Sequence, residues 1–330
     1  MSQQLREHIR VLLALGADDF DTIAARCAEH LDDPSADPSI DAPDDPSDDA
    51  PDALDAGALA REIAAEEFAA YLADQRTWPD VTDTDRLLRA FRDLDLSGIV
   101  ARADFACCQS CGMAEIGAEV PSGEQRRGYA FCHRQDMETA TLGGGLMLAY
   151  GIFTDADEPS TQPEIGEDVA EALRRHGLTV RWDGDPSRRI EVDLSYRRRR
   201  SGHLAAWPDG PVPPAPDSDR LDVTYCDYAR GRHVDDPTPM TLAEARGVFL
   251  DLTPYPGNFA VFAGRSDGVV QMAWESGPRL WLECPDPATR RSHGRHVTVA
   301  EAEDLMAILA TEDRVALDRL PGYTTENWPT

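Results

Sequence analysis

The chain has 330 residues, of which 42% are hydrophobic, so it is long enough for about two domains and apolar enough to build packed cores. Its 61 acidic residues outnumber its 32 cationic residues, all of which are arginine, and the formal net charge is -29. This excess of negative charge argues against general nucleic-acid binding and against binding to an anionic membrane surface, since both need clustered positive charge.

The N-terminal segment predicts an α-helix and shows no targeting signal. Apolar residues such as Leu5, Ile9 and Leu12 recur at helical spacing over residues 3–15. The apolar run in this segment is shorter than the ~7–15 residues of a secretory signal, and no window approaches the ~18–20 apolar residues of a membrane span. We therefore expect a cytoplasmic protein, whose seven cysteines are reduced or metal-bound and do not form a disulfide framework.

Composition divides the rest of the N-terminal half into helices, a linker and a domain. Residues 1–31 predict N-terminal helices, the second of them over 21–31. Residues 32–57 contain ten Asp and five Pro, a composition that predicts a disordered acidic linker because it cannot bury enough apolar surface to offset the entropy of ordering. A main α+β domain is then expected over residues 58–203.

Within the main domain, two helical patterns are followed by strand-like runs. Strands are expected at 99–105, 113–120 and 128–133, with the last two joined as a hairpin through PSGEQRRG. Further strands and helices follow, so the domain is expected to contain a mixed or antiparallel sheet. The arginine run Arg197–Arg200 comes at its end, and we expect these side chains to pair with the chain's own carboxylates.

The C-terminal third predicts a second, smaller unit. A Pro-rich run marks a linker over 204–220, a small α+β domain is expected over 221–316, and residues 317–330 are expected to be a tail. The fold class is therefore α+β: a helical N-terminal segment, a sheet domain and a small C-terminal α+β domain.

Two local features of the C-terminal domain carry predictions. Trp274 and Trp281 fall on neighbouring strands and are expected to lie together in the core. The segment RRSHGRH is expected to be a polar loop, in which His293 and His296 form at most a weak anion or metal site.

The segment FACCQSCGMAEI has the strongest chemical character in the sequence. Cys108 and Cys111 form a Cys-x-x-Cys followed by Gly112, with Cys107 directly before them. This is the form of a zinc knuckle, in which glycine is expected to let the chain turn back so that backbone N–H groups face the thiolates.

A second group of candidate metal ligands lies about twenty residues further on. Cys132 and His133 are adjacent on a predicted strand and so point to opposite faces, which lets only one of them join the same metal. His133 also begins the run HRQDME, where it and Asp136 suit metal binding or proton sharing. Alternatively, Asp136 is simply the N-cap of the following helix.

Three interpretations of the thiols stay open at this point: ordinary reduced cysteines, a structural zinc site, and a redox or catalytic thiol. The candidate metal ligands are Cys107, Cys108, Cys111, Cys132 and His133. The only cofactor that the pattern indicates is structural zinc.

Several long motifs resemble a known family. The segments TWPDVTDTDRLLRAFRDLDLSGIVARADFACCQSCGMAEI, GYAFCHRQDMETATLGGGLMLAYGIF and IGEDVAEALRRHGLTVRWDGDPSRRIEV are similar to an uncharacterised bacterial family catalogued only as a domain of unknown function, over about residues 58–200. The resemblance implies no activity. It implies that His133, not Cys132, accompanies Cys108 and Cys111, because an aromatic residue is usual at position 132 while the histidine is kept.

These observations favour a non-enzymatic, acidic protein-binding module over an enzyme. Negative potential over the domains would steer a basic protein partner, and the order of elements in the C-terminal domain is similar to that of immunity domains of bacterial toxin systems, which suggests an inhibitor of such a partner. The alternative is a metal-dependent or thiol enzyme, hydrolase-like in character, centred on Cys108, Cys111, His133 and Asp136.

Overall fold

The computed structural model describes residues 2–32, 53–153, 161–208, 210 and 218–328. The α-helices of this part of the chain are α1 (Ser2–Leu15), α2 (Phe20–Asp32), α3 (Ala53–Gln75), α4 (Asp83–Leu96), α5 (Gln109–Glu115), α6 (Arg134–Thr141), α7 (Gln162–Arg175), α8 (Leu242–Asp251) and α9 (Val299–Glu312). The strands are β1 (Ile99–Arg102), β2 (Gly128–Phe131), β3 (Leu146–Ile152), β4 (Thr179–Arg181), β5 (Ile190–Asp193), β6 (Arg220–Asp227), β7 (Arg232–Thr241), β8 (Phe259–Ala263), β9 (Val269–Glu275), β10 (Arg279–Asp286), β11 (Arg291–Val297) and β12 (Thr324–Asn327). The predicted α+β class is confirmed.

The described residues group into two compact units. The first lies within Met1–Pro79 and Arg197–Pro213, and the second within Asp80–Tyr196 and Pro214–Thr330. Residues 33–52 of the predicted acidic linker and residues 211–217 of the Pro-rich linker lie outside the described residues. The domain boundaries drawn from composition stay a prediction.

Helices α1, α2 and α3 form the first unit around a shared apolar core. The helical spacing predicted for residues 3–15 is confirmed, since Leu5, Ile9 and Leu13 are all buried in this core. On its outer side, Arg6 and Arg10 of α1 hold the buried carboxylate of Glu67 of α3 at 2.9 and 2.7 Å. Burial would raise the pKa of Glu67, but the two guanidinium groups more than offset this and lower it.

The arginine run at the end of the main domain joins this unit, where its partners include aromatic rings, backbone carbonyls and a carboxylate. Arg197 and Arg199 lie over the ring of Trp78, with guanidinium carbons 4.3 and 5.7 Å from its centroid. Arg197 also lies 3.7 Å from a carboxylate oxygen of Asp74. The expected pairing with a carboxylate is therefore seen for Arg197, and aromatic rings and backbone carbonyls are further partners of the run.

Arg200 is the most deeply buried member of the run. Its guanidinium group donates to the carbonyl oxygens of Leu204 at 2.7 Å, Leu13 at 3.2 Å and Asp18, and it lies 4.8 Å from the ring centroid of Phe68. Burial lowers the pKa of Arg200 to about 10. A single buried cation thus satisfies carbonyls at the end of α1 and in two segments beyond it.

The second unit begins with a five-stranded sheet in the order β1-β2-β3-β5-β4. Strand β1 pairs with β2 in parallel, and the other pairs are antiparallel. The sheet is therefore mixed, which is one of the two arrangements expected from the sequence. The strand expected at 113–120 is wrong: helix α5 and a 3-10 helix, Ile116–Glu119, occupy this segment, so there is no hairpin with 128–133.

The C-terminal part of the second unit is a seven-stranded antiparallel sheet in the order β12-β11-β10-β9-β8-β6-β7. The three successive strands expected here are β8, β9 and β10. Strands β7, β11 and β12 were not expected, and β11 replaces the polar loop predicted for RRSHGRH. Trp274 is fully buried as expected, but Trp281 is only half-buried, because it lies on the opposite face of the sheet.

A threonine followed three residues later by an acidic residue starts most of the longer helices of the second unit. In each case the hydroxyl accepts from the backbone N–H of the acidic residue, whose carboxylate accepts from the backbone N–H of the threonine. These reciprocal caps are Thr82 with Asp85, Thr161 with Glu164, Thr241 with Glu244, and Thr298 with Glu301.

Helix α4 connects the two sheets of the second unit. Arg89 forms a bidentate pair with Glu303 of α9 at 2.7 and 2.8 Å, and Arg92 donates to the carbonyl of Leu252 at 2.9 Å. Asp95 at the end of the same helix accepts from Arg102 of β1 at 2.8 Å. Among the described helices, none combines the length and the apolar character needed to cross a bilayer.

Replacing Arg200 with methionine should destabilise the first unit by about 2–4 kcal/mol, because several buried carbonyls lose their donor while the side-chain volume changes little. Chemical denaturation of the full chain would measure this as a lower transition midpoint. Arg76→Met, an exposed arginine just after α3, is the matched control and should change stability by less than about 0.5 kcal/mol. Equal midpoints for the two variants would contradict the role given to Arg200.

Candidate metal centre

The cysteine segment follows β1 directly and is held in place by backbone hydrogen bonds to the chain beyond β2. The N–H of Cys132 donates to the carbonyl of Arg102 at 3.2 Å, and the N–H of Phe105 donates to the carbonyl of Cys132 at 2.9 Å. The N–H of Arg134 then donates to the carbonyl of Ala106 at 3.1 Å. The segments that follow β1 and β2 therefore stay paired past the ends of these strands, up to the residue before the first cysteine.

Two residues of this loop adopt left-handed backbone conformations. Asp104 has φ 53° and Ala106 has φ 60°. Aspartate tolerates this region, and its carboxylate is 2.9 Å from Nε of Arg134, whereas for alanine the conformation costs about 1–2 kcal/mol. The hydrogen bonds to residues 132 and 134 oppose this cost and fix the direction in which the chain enters the cysteines.

The sulfur atoms of Cys107, Cys108 and Cys111 all lie within 4.8 Å of one another. Cys107 is exposed and the other two are half-buried. Cys108 is the N-cap of α5, and Cys111 lies in its first turn, so the helix brings them together. We call these three residues the cysteine cluster. Among the described residues, it is the one group of at least three histidine, cysteine or carboxylate side chains close enough to share a metal ion.

Hydrogen bonds inside the cysteine cluster shift the pKa values of two of its thiols in opposite directions. The backbone N–H of Cys111, with the thiols of Cys111 and Cys107, lowers the pKa of Cys108. Hydrogen bonds from Cys111 to the sulfurs of Cys107 and Cys108 raise the pKa of Cys111 to about 12. Negative charge is thus favoured on Cys108 over Cys111.

The donor set fits a thiophilic metal ion. Thiolates bind Zn²⁺ with Zn–S bonds of about 2.3 Å in tetrahedral geometry, which places sulfurs roughly 3.8 Å apart. Sulfurs that already lie within 4.8 Å need only small side-chain adjustments to reach this spacing. Three protein ligands leave a fourth position for water or an external ligand.

Gly112 has a different role from the one its position after Cys-x-x-Cys suggested. It lies inside α5 without a left-handed backbone, so it does not turn the chain back. A Cβ atom at Gly112 would lie 2.4 Å from Cε2 and 2.7 Å from Cζ of Phe131. The absence of a side chain lets α5 pack directly against this ring on β2.

Cys132 and His133 do not belong to the cysteine cluster. The Cys132 side chain is fully buried, with its sulfur 3.3 Å from the sulfur of Met137, and burial raises the pKa of this thiol to about 12. His133 is the N-cap of α6. Its Nδ1 accepts from the backbone N–H of Asp136, and its Nε2 lies 3.0 Å from a carboxylate oxygen of that residue. Their participation in a metal site stays a prediction.

The polar run HRQDME after β2 forms the N-terminal cap of α6, but the N-cap is a different residue from the one expected. His133, not Asp136, is the N-cap, and Asp136 in the first turn accepts from the backbone N–H of His133 at 3.2 Å. Arg189 of the neighbouring turn also donates to the Asp136 carboxylate. Burial and the charge of Arg189 lower the pKa of His133, against the opposing effect of Asp136.

The two histidines of RRSHGRH are placed separately on β11. Nδ1 of His293 is 2.9 Å from the hydroxyl oxygen of Thr325, and Nε2 of His296 is 2.8 Å from a carboxylate oxygen of Glu275. Neither belongs to a group of three candidate metal ligands among the described residues.

Residues 1–200 match the family model described as "Domain of unknown function (DUF6891)". The match begins earlier than the segment from about residue 58 on which the motif resemblance was based, so it also takes in the N-terminal helices. Neither a curated protein nor a solved structure matches the chain.

Gly112→Ala should destabilise the protein, because the new methyl group overlaps the Phe131 ring. Overpacking of this kind costs about 1–3 kcal/mol, which exceeds the ~1 kcal/mol that alanine gains over glycine in a helix. Gly117→Ala, five residues along in open space, is the matched control and should leave stability unchanged or slightly higher. Thermal and chemical denaturation would measure both; a neutral Gly112→Ala would contradict the packing argument.

Proposed function

Since the chain belongs to the DUF6891 family, whose description gives no activity, we propose a function from the geometry of the cysteine cluster: this protein binds one zinc ion through Cys107, Cys108 and Cys111. The observation that carries the proposal is the distance of at most 4.8 Å between any two of the three sulfur atoms. Thiolate ligands favour zinc over the hard cations Mg²⁺ and Ca²⁺, which prefer oxygen.

The role that we assign to the ion is structural: it uses the three thiolates, and the fourth position that they leave open has no part in it. The three ligands flank the junction between a strained loop and the short helix α5, where Ala106 holds a left-handed conformation. When bound, zinc supplies a positive charge that stabilises adjacent thiolates, and it ties the N-cap of α5 to its first turn and to the preceding residue. Cys107, which is exposed, is the ligand through which the centre faces solvent.

The alternative of a metal-dependent or thiol enzyme stays a prediction with less support. It requires His133 and Asp136 to act with Cys108 and Cys111. Both residues already have partners in the cap of α6, and Asp136 also accepts from Arg189. A structural centre on the cysteine cluster requires no change in these contacts.

Protein purified without chelators should contain close to one zinc ion per chain by elemental analysis. The double variant Cys108→Ser/Cys111→Ser should lose at least four-fifths of this zinc, because a single remaining thiolate binds zinc weakly. Cobalt substitution of the unaltered chain should give thiolate-to-metal charge-transfer absorption that the double variant lacks.

Two single variants serve as controls for the zinc measurement. Cys226→Ser alters a half-buried cysteine outside the cluster, and His133→Asn keeps a side chain able to cap α6. Both should retain the zinc of the unaltered chain. A folded, reduced protein that neither contains zinc nor gains thermal stability when zinc is added would refute the proposal.

A second candidate function is binding of a basic protein. The observation that favours it is how the charges are distributed: most arginines lie within 4.0 Å of a carboxylate of the chain itself, and acidic residues outnumber arginines by 61 to 32. With a net charge of -29, this excess would steer a cationic partner and speed its association. In this reading the chain is a non-enzymatic binding module, such as an inhibitor of a basic toxin.

Affinity capture from the source cell at moderate salt, with the full chain as bait, should enrich proteins of net positive charge. The captured proteins should be released as the salt concentration rises, because screening weakens the electrostatic attraction between them and the bait. A bait of similar size and similar negative charge but unrelated sequence is the control. If both baits capture the same proteins, the acidity has no specific partner.

A further inference from the structure

Helices α8 and α9 lie on one face of the seven-stranded sheet, and we call the opposite face, whose side chains on β8, β9 and β10 are half-buried or exposed, the open face. Helices α8 and α9 pack on strands β6, β7 and β9 from the side where Val223, Phe262 and Trp274 are buried. Side chains at the alternate positions point the other way. On β8, β9 and β10 these include Phe259, which is 36% exposed, and the half-buried Gln271, Trp281 and Glu283.

One row of side chains crosses the open face in register. Phe259 pairs with Ala273, Ala273 with Trp281, and Trp281 with His296. The Cα atoms of Phe259 and Trp281 are two strand spacings apart, which is roughly 10 Å, and the residue between them has only a methyl group. The two aromatic rings therefore flank a shallow gap above Ala273.

A glycine beside this row lets the indole of Trp281 lie close to the sheet. A Cβ atom at Gly294 would lie 2.8 Å from Cζ2 of Trp281 and 2.8 Å from Cβ of Glu283. On the other side, the ring of His296 meets the indole edge to face, with centroids 5.2 Å apart. Trp281 is thus positioned by its neighbours while part of its surface stays open to solvent.

Glu283 places a carboxylate next to this indole. It accepts from the side-chain N–H of Gln271, and the indole N–H of Trp281 lies 3.4 Å from its other oxygen. Both donors are neutral. Within the described residues Glu283 forms no ion pair, whereas Glu275 on the same face is paired with His296 at 2.8 Å and with Arg279 at 3.4 Å.

We propose that the open face binds a basic peptide segment of a partner protein, with one arginine or lysine side chain lying on the ring of Trp281 and paired with the carboxylate of Glu283. An aromatic face next to a carboxylate attracts a cation through both the ring quadrupole and the formal charge. A guanidinium group is favoured, since it stacks on a planar ring and donates to a carboxylate at the same time.

The proposal rests on the second candidate function and gives that function a location. The charge complementarity is local as well as overall, because no cation in the described part of the chain pairs with Glu283 and the chain carries a net charge of -29. Phosphate-bearing ligands would meet repulsion from this carboxylate, so an aromatic sheet face here does not favour nucleic acid. The site is independent of the cysteine cluster.

A tetra-arginine peptide with blocked ends is the probe. The full chain should bind it with one-to-one stoichiometry in calorimetry at low salt, and binding should perturb the indole N–H resonance that Trp281→Phe removes. Glu283→Gln, which keeps the size of the side chain, should weaken binding by about tenfold. Asp304→Asn removes the same charge from an exposed position on α9 and should change the affinity by less than about twofold.

The outcomes distinguish two claims: that the protein binds a basic partner, and that the open face is where it does so. If the unaltered chain binds the peptide but Glu283→Gln and Asp304→Asn weaken it equally, the open face is not the site, although basic-partner binding stands. If the unaltered chain does not bind the peptide even at low salt, both proposals fail. A blocked tetra-glutamate peptide should not bind, and removal of zinc with a chelator should leave binding of the arginine peptide unchanged.

Discussion

The parallel pairing of β1 with β2, continued past the ends of both strands by three backbone hydrogen bonds, is the constraint on which the candidate centre depends. It holds the loop before the cysteines against residues 132–134 and maintains two left-handed conformations there. Arg102 at the end of β1 is anchored in turn by Asp95 of α4. The cysteine cluster therefore lies on a rigid edge of the mixed sheet, although its own helix has only seven residues.

Sequence periodicity predicted the amphipathic helices well, and it failed where contacts between distant segments or polar edge strands decide the structure. Helix α1 has apolar residues at helical spacing and was expected within a residue or two of its bounds. Residues 113–120 were expected to form a strand, but they lie in α5 and the 3-10 helix that follows it, and Gly112 in α5 packs on Phe131 of β2. Strands β7 and β12 lie at sheet edges and carry polar side chains, so hydrophobic alternation could not identify them.

The candidate site was predictable only where it is local in sequence. Cys107, Cys108 and Cys111 lie within five residues around the start of α5, so their proximity is largely a matter of local chain geometry. The contributions of Cys132 and His133 depended on where a distant strand points its side chains, and a capping box with histidine as N-cap was not anticipated. Trp281 was expected in the core because its strand was recognised, but a shift of one residue in register decides which face a side chain occupies.

The edges of the seven-stranded sheet restrict how it can meet other proteins. Strand β7 carries Pro237 and Pro239 together with exposed Asp235 and Asp236, and β12 is a short strand whose side chains are all exposed. Prolines lack the N–H that a further strand would need, and neighbouring charges oppose close approach of another backbone. The fold thereby disfavours the addition of a further strand, most clearly at the β7 edge.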